Sequence, residues 1–432
     1  MQKDHSLLTE HPGKALFFFA LPMILGNLFQ QLYNMTDSVI VGQFVGEEAL
    51  AAVVASFAFT TVFIMIAIGG GIGSSVLTSQ YLGAQMYPEM KTSASTSLLT
   101  FLGVSIALAL FGYFLNPTIL RWLNTPENIF DDAVLYLQIY FTGLPFMFMY
   151  NVLAANFNAL GRSRIPLGLL IFSSLFNIVM DLVMVVVFRL GVAGVAIATV
   201  IAQGISAIVS YMILRRVLKG FETGDANIPV FDPEMMVKGI KIAIPSIVQQ
   251  SIVSIGMLLM QSAVNAFGSS ALAGYSAGAK VESMGVVPMI STGNAVSTFT
   301  AQNLGAGNYD RVKAGLRAAY FQDAVYALIL AVLLWFMAKP IMGMFLPEGS
   351  TAVSVETGMR YIRFIAFFYL VLGFKASTDG VLRGSGDGKV YMAANLINLA
   401  IRVLTARLLS PIYGIDFVWY AIPVGWLVTF MI

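Results

Sequence analysis

The sequence predicts an all-α polytopic membrane protein with twelve transmembrane helices in two pseudo-symmetric six-helix lobes around a central cleft. Of the 432 residues, 58% are hydrophobic and only 11% are charged, and the mean hydropathy is +0.81. A soluble domain carries about 25% charged residues. The apolar residues also form runs of about 20, the length that a helix needs to cross the hydrocarbon core of a bilayer. The second half of the chain repeats the first.

Twelve apolar runs follow one another, and each is expected to form one transmembrane helix. They lie at about 15–43, 51–80, 95–115, 133–158, 165–188, 192–214, 242–266, 272–299, 316–338, 357–382, 390–412 and 417–432. A polar connector at 215–241 separates the sixth run from the seventh, so the predicted domains are an N-lobe of residues 1–214, the connector and a C-lobe of residues 242–432. The last run is cut at Ile432, which indicates that the native chain continues.

Basic residues are distributed unevenly between the loops. Fifteen Lys and Arg lie in the N-terminal tail and the even-numbered connections, against five in the opposite loops. Cytoplasmic loops carry an excess of Lys and Arg, so both termini are expected in the cytoplasm and the protein in the cell (inner) membrane. The first apolar run is too long for a signal peptide and lacks a small-residue cleavage site, so it is expected to remain as a span.

The composition excludes several classes of function. There is no cysteine, and the only histidines, His5 and His11, lie in the polar tail, so thiolate and intramembrane histidine metal sites are excluded. The net charge of +2 is too small to indicate a nucleic-acid partner. The glycines of Gly69–Ser75 imitate a phosphate loop but lie in an apolar run without the lysine, so they indicate close helix packing instead. No enzyme activity and no cofactor other than a coupling ion is expected.

An internal repeat defines the architecture. The segment QYLGAQMYPEMK at 80–91 aligns with QNLGAGNYDRVK at 302–313, an offset of 222 with six of twelve residues identical. Pro22 aligns with Pro245 at an offset of 223, and further on Tyr136 aligns with Tyr361 at 225. Because each half contains an even number of helices, the two lobes are parallel repeats, an arrangement that places a substrate cleft between them.

Asp37 lies within the apolar run Leu21–Phe44. A charged Asp at the centre of a membrane helix costs roughly 2.5–3.5 kcal/mol, so a proton or cation site is expected, the alternative being a neutralised Asp used only for packing. Helix five places Asn177 and Asp181 four residues apart on one face, and helix six carries Thr199. Counted from the neighbouring loops, Asp37, Asp181 and Thr199 all lie about 10–12 Å below the outer surface.

These residue types suit two coupling ions. Two carboxylates in a poorly hydrated pocket take up a proton readily, because both cannot stay charged at low cost. The same oxygens, together with the amide oxygen of Asn177 and the hydroxyl of Thr199, are also hard ligands for Na⁺. H⁺ and Na⁺ therefore remain open, as does a purely structural polar cluster.

The C-lobe lacks the same residues at the equivalent positions. The repeat places Leu259 or Met260 opposite Asp37, Arg402 opposite Asn177, Ala406 opposite Asp181 and Ile422 opposite Thr199. One coupling site, and electroneutral exchange with a monovalent cation, is therefore expected. Two further pairs of charges lie at membrane depth, where structural pairing and coupling roles both remain possible: Glu282 with Arg402, and Lys375 with Asp379.

The chain resembles the multidrug and toxic compound extrusion (MATE) transporters, and within them the DinF-like branch. The resemblance rests on the Leu-Pro start of helix one followed by Asn34–Asp37, the Leu-Gly-Ala turns after helices two and eight, and the turns Asn158–Gly161 and Leu382–Gly384. It implies a secondary antiporter that exports amphipathic, often cationic compounds in exchange for H⁺ or Na⁺ by alternating access.

The resemblance also implies roles for individual residues. In DinF-like proteins the cation or proton site uses an Asp on helix one, an Asn and an Asp on helix five and a Thr on helix six, which Asp37, Asn177, Asp181 and Thr199 match. Many other MATE proteins carry an acidic residue on helix seven, and this sequence has none there. Helix one bends in the family, and Pro22 is the expected bend point.

Four polar residues are candidates for the substrate cleft or for hydrogen bonds between helices: Gln30, Tyr33, Asn34 and Asn151. The expected partners are small amphipathic or cationic molecules and the lipid bilayer, and the protein is expected to be a monomer. The alternative function is a lipid-linked oligosaccharide flippase of the same superfold, for which a cleft lined with Arg is expected.

Overall fold

The computed structural model describes residues 6–123, 125–224, 226–347 and 349–432, and the side chain of Asp37 is among a few that lie outside this description. The described chain is helical, and its connections are short apart from the one between Lys219 and Pro233. The helices are α1 (Ser6–Thr9), α2 (Pro12–Phe44), α3 (Glu47–Gly83), α4 (Tyr87–Trp122), α5 (Glu127–Ala159), α6 (Arg164–Leu182), a π-helical turn (Val183–Val187), α7 (Gly191–Lys219), α8 (Pro233–Asn265), α9 (Ser269–Gly285), α10 (Val287–Gly305), α11 (Tyr309–Phe345), α12 (Ala352–Ala366), α13 (Tyr369–Ser385), α14 (Gly388–Tyr413) and α15 (Asp416–Met431).

All twelve predicted apolar segments are helical. Within the described residues, eight helices are long and apolar enough to span a membrane, and α12 with α13, bent by 55° at their junction, makes a ninth. The other predicted segments correspond to α8, to α9 together with α10, and to α15. The predicted all-α polytopic fold class is therefore confirmed.

The chain forms two compact units, Met1–Ile24 with Val248–Ile432 and Leu25–Ile247. Both divisions fall inside a helix, α2 and α8, two residues after Pro22 and Pro245 respectively. These units are defined by which residues contact one another, whereas the predicted lobes are defined by the repeat in the sequence, so the two sets of boundaries differ. The helix α2 continues through Pro22, and the role of this proline as a bend point stays a prediction.

In the unit Leu25–Ile247, the first half of α8 packs closely against α3. A β-carbon at Gly69 would lie 2.6 Å from the Cα of Ile247, and one at Gly73 would lie 2.7 Å from the backbone nitrogen of Ala243. Only glycine allows the two backbones to approach so closely. The prediction that this glycine-rich stretch serves close helix packing is confirmed.

The other unit contains two interrupted helix pairs. The pair α9 and α10 is interrupted at Val286, and the pair α12 and α13 at Phe367 and Phe368. Where α10 meets α13, a β-carbon at Gly293 would lie 2.5 Å from the carbonyl oxygen of Ala376, so these backbones also touch. This contact fixes the position of α13, whose remaining faces carry polar side chains toward α11 and α14.

The glycine contact leads to a first prediction. Gly73→Ala inserts a methyl group into the backbone of α8 and should cost about 1–3 kcal/mol, the usual effect of overpacking, seen as a lower melting temperature in detergent. Gly103→Ala is the matched control, because nothing lies within 4 Å of a β-carbon there. Equal melting temperatures for the two variants would contradict the packing.

Candidate ion-coupling site

Three of the four predicted coupling residues meet in the unit Leu25–Ile247. Asn177 and Asp181 lie one turn apart on α6, and both side chains are buried, with exposed fractions of 2% and 0%. Thr199 faces them from α7. An Asn and an Asp at this spacing share one helix face, which is why a single face of α6 can supply both groups.

The side-chain amide of Asn177 connects these residues. With its nitrogen directed toward Asp181, it donates to the Oδ2 atom of that carboxyl at 3.3 Å, and its oxygen accepts from the backbone nitrogen of Thr199 at 3.3 Å. The same nitrogen contacts the hydroxyl of Tyr33 on α2. The amide therefore joins α2, α6 and α7 at the position of the buried carboxyl.

The hydroxyl of Thr199 has a partner within its own helix. It donates to the backbone carbonyl of Val195 at 3.0 Å, one turn earlier in α7. Thr199 thus meets Asn177 through its backbone rather than through its hydroxyl. Its role as an ion ligand stays a prediction.

The helix carrying Asp181 changes geometry directly after this residue. A π-helical turn occupies Val183–Val187, and the backbone nitrogen of Phe188 bonds the carbonyl of Val183 at 3.0 Å. Such turns within α-helices are rare and often occur at functional sites. Here the turn changes the register of α6 next to the buried carboxyl.

A layer of small apolar side chains closes one end of the site. Ala49, Val185, Val192 and Val195 form a buried cluster. Val185 follows Asp181 by four residues, and Val195 precedes Thr199 by four, so the layer lies one turn from the site toward the α6–α7 connection. Ala49 and Val192 of this layer also line a cavity of about 430 Å³, whose lining includes Glu48, Asp132 and Arg189. The apolar layer thus lies one turn from the buried carboxyl and borders a cavity with charged residues in its lining.

Asp37, the fourth predicted coupling residue, lies in α2 one turn after Tyr33. Its side chain is outside the described residues, so its part in the site stays a prediction. The backbone of α2 and the contact of Tyr33 with Asn177 place this turn of the helix beside α6.

The predicted cleft residues have mainly local partners. Gln30 donates to Asn34 at 3.0 Å on an exposed stretch of α2. Asn151 donates to the backbone carbonyl of Met147 at 2.9 Å. Tyr33 belongs with the ion-coupling residues, because its hydroxyl contacts Asn177. The substrate role of Gln30, Asn34 and Asn151 stays a prediction.

The two predicted charge pairs of the second unit lie in different surroundings. Glu282 accepts a hydrogen bond from Tyr361, and Arg402 acts on it electrostatically, although no ion pair joins these two residues in the described part of the chain. Lys375 pairs with Asp379 at 2.6 Å, as predicted, and donates to Asn395 at 2.7 Å.

Sequence reasoning missed one buried carboxyl. Asp323 on α11 is 2% exposed and accepts a hydrogen bond from Ser377 on α13 at 2.6 Å. The sequence could have indicated this residue, because Asp323 lies inside an apolar run just as Asp37 does.

A polytopic helical fold built from two repeats, with a polar cluster around an intramembrane carboxyl, is that of a membrane transporter. The profile of the MatE family matches residues 22–183 and 245–408. The chain therefore belongs to the MatE family, which consists of transporters and not of enzymes. The two matched segments begin at Pro22 and Pro245, the prolines that the internal repeat aligns.

Two relatives match this sequence over most of their length. The chain is 30% identical over 388 residues to the probable multidrug resistance protein YpnP of Bacillus subtilis (strain 168), covering 89% of this chain and 85% of the relative. It is 25% identical over 384 residues to the FAD transporter of Shewanella oneidensis, covering 86% of this chain and 80% of the relative. The resemblance to MATE transporters is thereby confirmed, and the DinF-like branch stays a prediction.

A solved structure has the same fold. The outward-facing conformation of a multidrug resistance MATE family transporter of the MOP superfamily matches with a TM-score of 0.89 and 22% identity, covering 100% of this chain and 96% of that one. The helical architecture is therefore shared along the entire sequence.

The contact of Tyr33 with Asn177 leads to a second prediction. Tyr33→Phe removes a hydroxyl from a buried amide, which should cost about 1–3 kcal/mol and lower the melting temperature in detergent. Tyr113→Phe is the matched control, because Tyr113 is 38% exposed on α4. If both variants have the melting temperature of the wild type, the hydroxyl of Tyr33 does not stabilise the site.

Proposed function

We propose that this protein exports amphipathic, often cationic compounds in exchange for H⁺ by alternating access. Membership of the MatE family and the multidrug resistance named for its relatives support drug export. The single observation that carries ion coupling is the buried carboxyl of Asp181, held by Asn177 at a junction of three helices. A carboxyl in a water-poor site is a group on which an ion gradient can act.

One contact, that of the Asn177 amide oxygen, favours H⁺ over Na⁺. The amide oxygen of Asn177 accepts from the backbone of Thr199, and the hydroxyl of Thr199 donates to the carbonyl of Val195. The amide oxygen that Na⁺ would need is thus already an acceptor, whereas the Thr199 hydroxyl acts as a donor and keeps its lone pairs. A proton needs only the carboxylate, so we infer that H⁺ is the coupling ion.

The names of the relatives support drug export but do not determine the chemical class of the substrate. Several are named for multidrug resistance or export, whereas one is named an FAD transporter. FAD is anionic, so membership of the family does not fix the charge of the substrate. We infer amphipathic cations because the predicted coupling pair, Asp37 and Asp181, is acidic and can exchange a proton for a positive charge.

We infer that the protein is a monomer in the cell (inner) membrane, with both termini in the cytoplasm. The excess of Lys and Arg in the N-terminal tail and in the even-numbered connections supports this orientation.

A third prediction tests the coupling site. Asp181→Asn preserves the volume of the side chain but cannot release a proton, so export driven by a pH gradient should fall to the background of protein-free vesicles. We expect the same result for Asp37→Asn. The measurement is ethidium transport by protein in proteoliposomes, under pH and Na⁺ gradients imposed separately.

Asp131→Asn is the matched control, because Asp131 is exposed near the start of α5. It should transport like the wild type. Full pH-driven export by Asp181→Asn would refute the site, and export driven by the Na⁺ gradient alone would refute H⁺ as the coupling ion.

A further inference from the structure

The buried carboxyl of Asp323 lies in a groove shaped to receive it. Its hydrogen-bond partner, Ser377 on α13, is 0% exposed and 2.6 Å away. One turn earlier on α13, a β-carbon at Gly373 would lie 2.7 Å from the Cβ of Asp323. Glycine at 373 and serine at 377 lie on one face of α13, so this face provides the space and the hydrogen bond that the carboxyl uses.

Among the described residues, no cation forms an ion pair with this carboxyl. Lys375 lies on the opposite side of α13, two residues from both Gly373 and Ser377, and is already bound to Asp379 and Asn395.

The neighbouring helix α10 offers no charge either. The sequence of α10, which packs against α11 and α13, contains no titratable residue. On α11 itself, Tyr320 hydrogen-bonds Thr378 at 2.7 Å and Tyr326 donates to the carbonyl of Gly285 at 3.1 Å. Tyr369, one turn before Gly373, is the remaining titratable group on this side of α13.

The repeat indicates that this fold does not need a carboxyl here. At the offset of 222 Asp323 corresponds to Phe101, and at the offset of 225 Gly373 and Ser377 correspond to Phe148 and Val152. In the unit Leu25–Ile247 these three residues are buried in one apolar cluster. An apolar contact in one repeat is thus replaced by an Asp, a Gly and a Ser together in the other.

We propose that Asp323 is a second proton-binding site, which binds and releases one proton in each transport cycle. An ionised carboxylate buried without a partner charge is costly, and binding a proton removes that cost. A metal cation would need several oxygen ligands, whereas among the described residues one serine hydroxyl bonds the carboxyl. Release leaves the carboxylate and a free proton, so the step needs no other reactant.

The helix α13 supplies a means of release. It begins at the bent junction with α12, at 55°, and carries both Gly373 and Ser377. A movement of α13 at this junction would separate Ser377 from Asp323 and change the environment of the carboxyl. The hydroxyl pair of Tyr320 and Thr378 lies beside this contact.

This inference rests on the proposed H⁺ exchange and changes its stoichiometry. The repeat positions predict one coupling site and electroneutral exchange of a monovalent cation. With Asp323 as a second site, two protons exchange for one cation and one net charge crosses the membrane. A membrane potential of 100 mV is then worth about 2.3 kcal/mol, or about 50-fold in the concentration ratio of the substrate.

The test is uptake of ethidium, a monovalent cation, into proteoliposomes with the protein in the inside-out orientation. The pH gradient is held at zero, and potassium with valinomycin sets a lumen-positive potential of about 100 mV. We expect the wild type to accumulate the dye up to about 50-fold. Asp323→Asn should lose this potential-driven uptake while retaining uptake driven by a pH gradient.

Asp310→Asn is the matched control, since Asp310 lies on the same helix and is exposed. It should behave like the wild type. The proposal would be overturned if Asp323→Asn retained potential-driven uptake. It would also be overturned if the wild type did not respond to the potential, and this second outcome tests the proposal even if the variant fails to fold.

Failure of this inference is distinguishable from failure of the proposed function. If pH-driven uptake depends on Asp181 but the potential has no effect, the first site stands and Asp323 is not a second one. If no pH gradient drives uptake in the wild type, the H⁺ exchange itself is wrong. An infrared difference spectrum between acid and alkaline pH gives an independent readout, because Asp323→Asn should remove one protonated-carboxyl band, and an unchanged spectrum would overturn the proposal.

Discussion

Polar groups removed from water need a partner within the protein, and in a membrane-spanning bundle this requirement determines where they lie. The amide of Asn177 meets it by bonding Tyr33, Asp181 and the backbone of Thr199. Lys375 meets it with Asp379 and Asn395. A carboxyl has a second option, because binding a proton removes its charge. Buried carboxyls are therefore the positions where we propose that an ion gradient acts on this protein.

The two repeats show how one scaffold holds different chemistry. Asp181 in the first repeat corresponds to Ala406 in the second, and Asp323 in the second corresponds to Phe101 in the first. Both members of each pair are buried. The helices pack with an apolar side chain at either position, so each carboxyl is an addition to a fold that does not require it. Backbone contacts at glycines, such as Gly69 against α8, keep the helices in place around these polar residues.

The sequence predicted the fold well, because bilayer thickness fixes the length of each apolar run and the repeat shows that both halves have the same pattern of helices. Spacing on one helix also predicted the pair of Lys375 and Asp379 and the shared face of Asn177 and Asp181. Contacts between helices were harder to predict, because they depend on how each helix is rotated about its axis. For that reason the sequence did not predict that Tyr33 contacts Asn177 or that Tyr361 donates to Glu282.

The central claim is that the cluster around Asp181 exchanges a proton for substrate, and the most direct measurement is the number of protons released when substrate binds. Ethidium binding to the purified wild type in detergent would be followed by isothermal titration calorimetry, in buffers of equal pH and different ionisation enthalpy. We predict a binding heat that changes with the buffer, showing proton release, and a weaker dependence on the buffer for Asp181→Asn. The same binding heat in every buffer for the wild type would contradict the central claim.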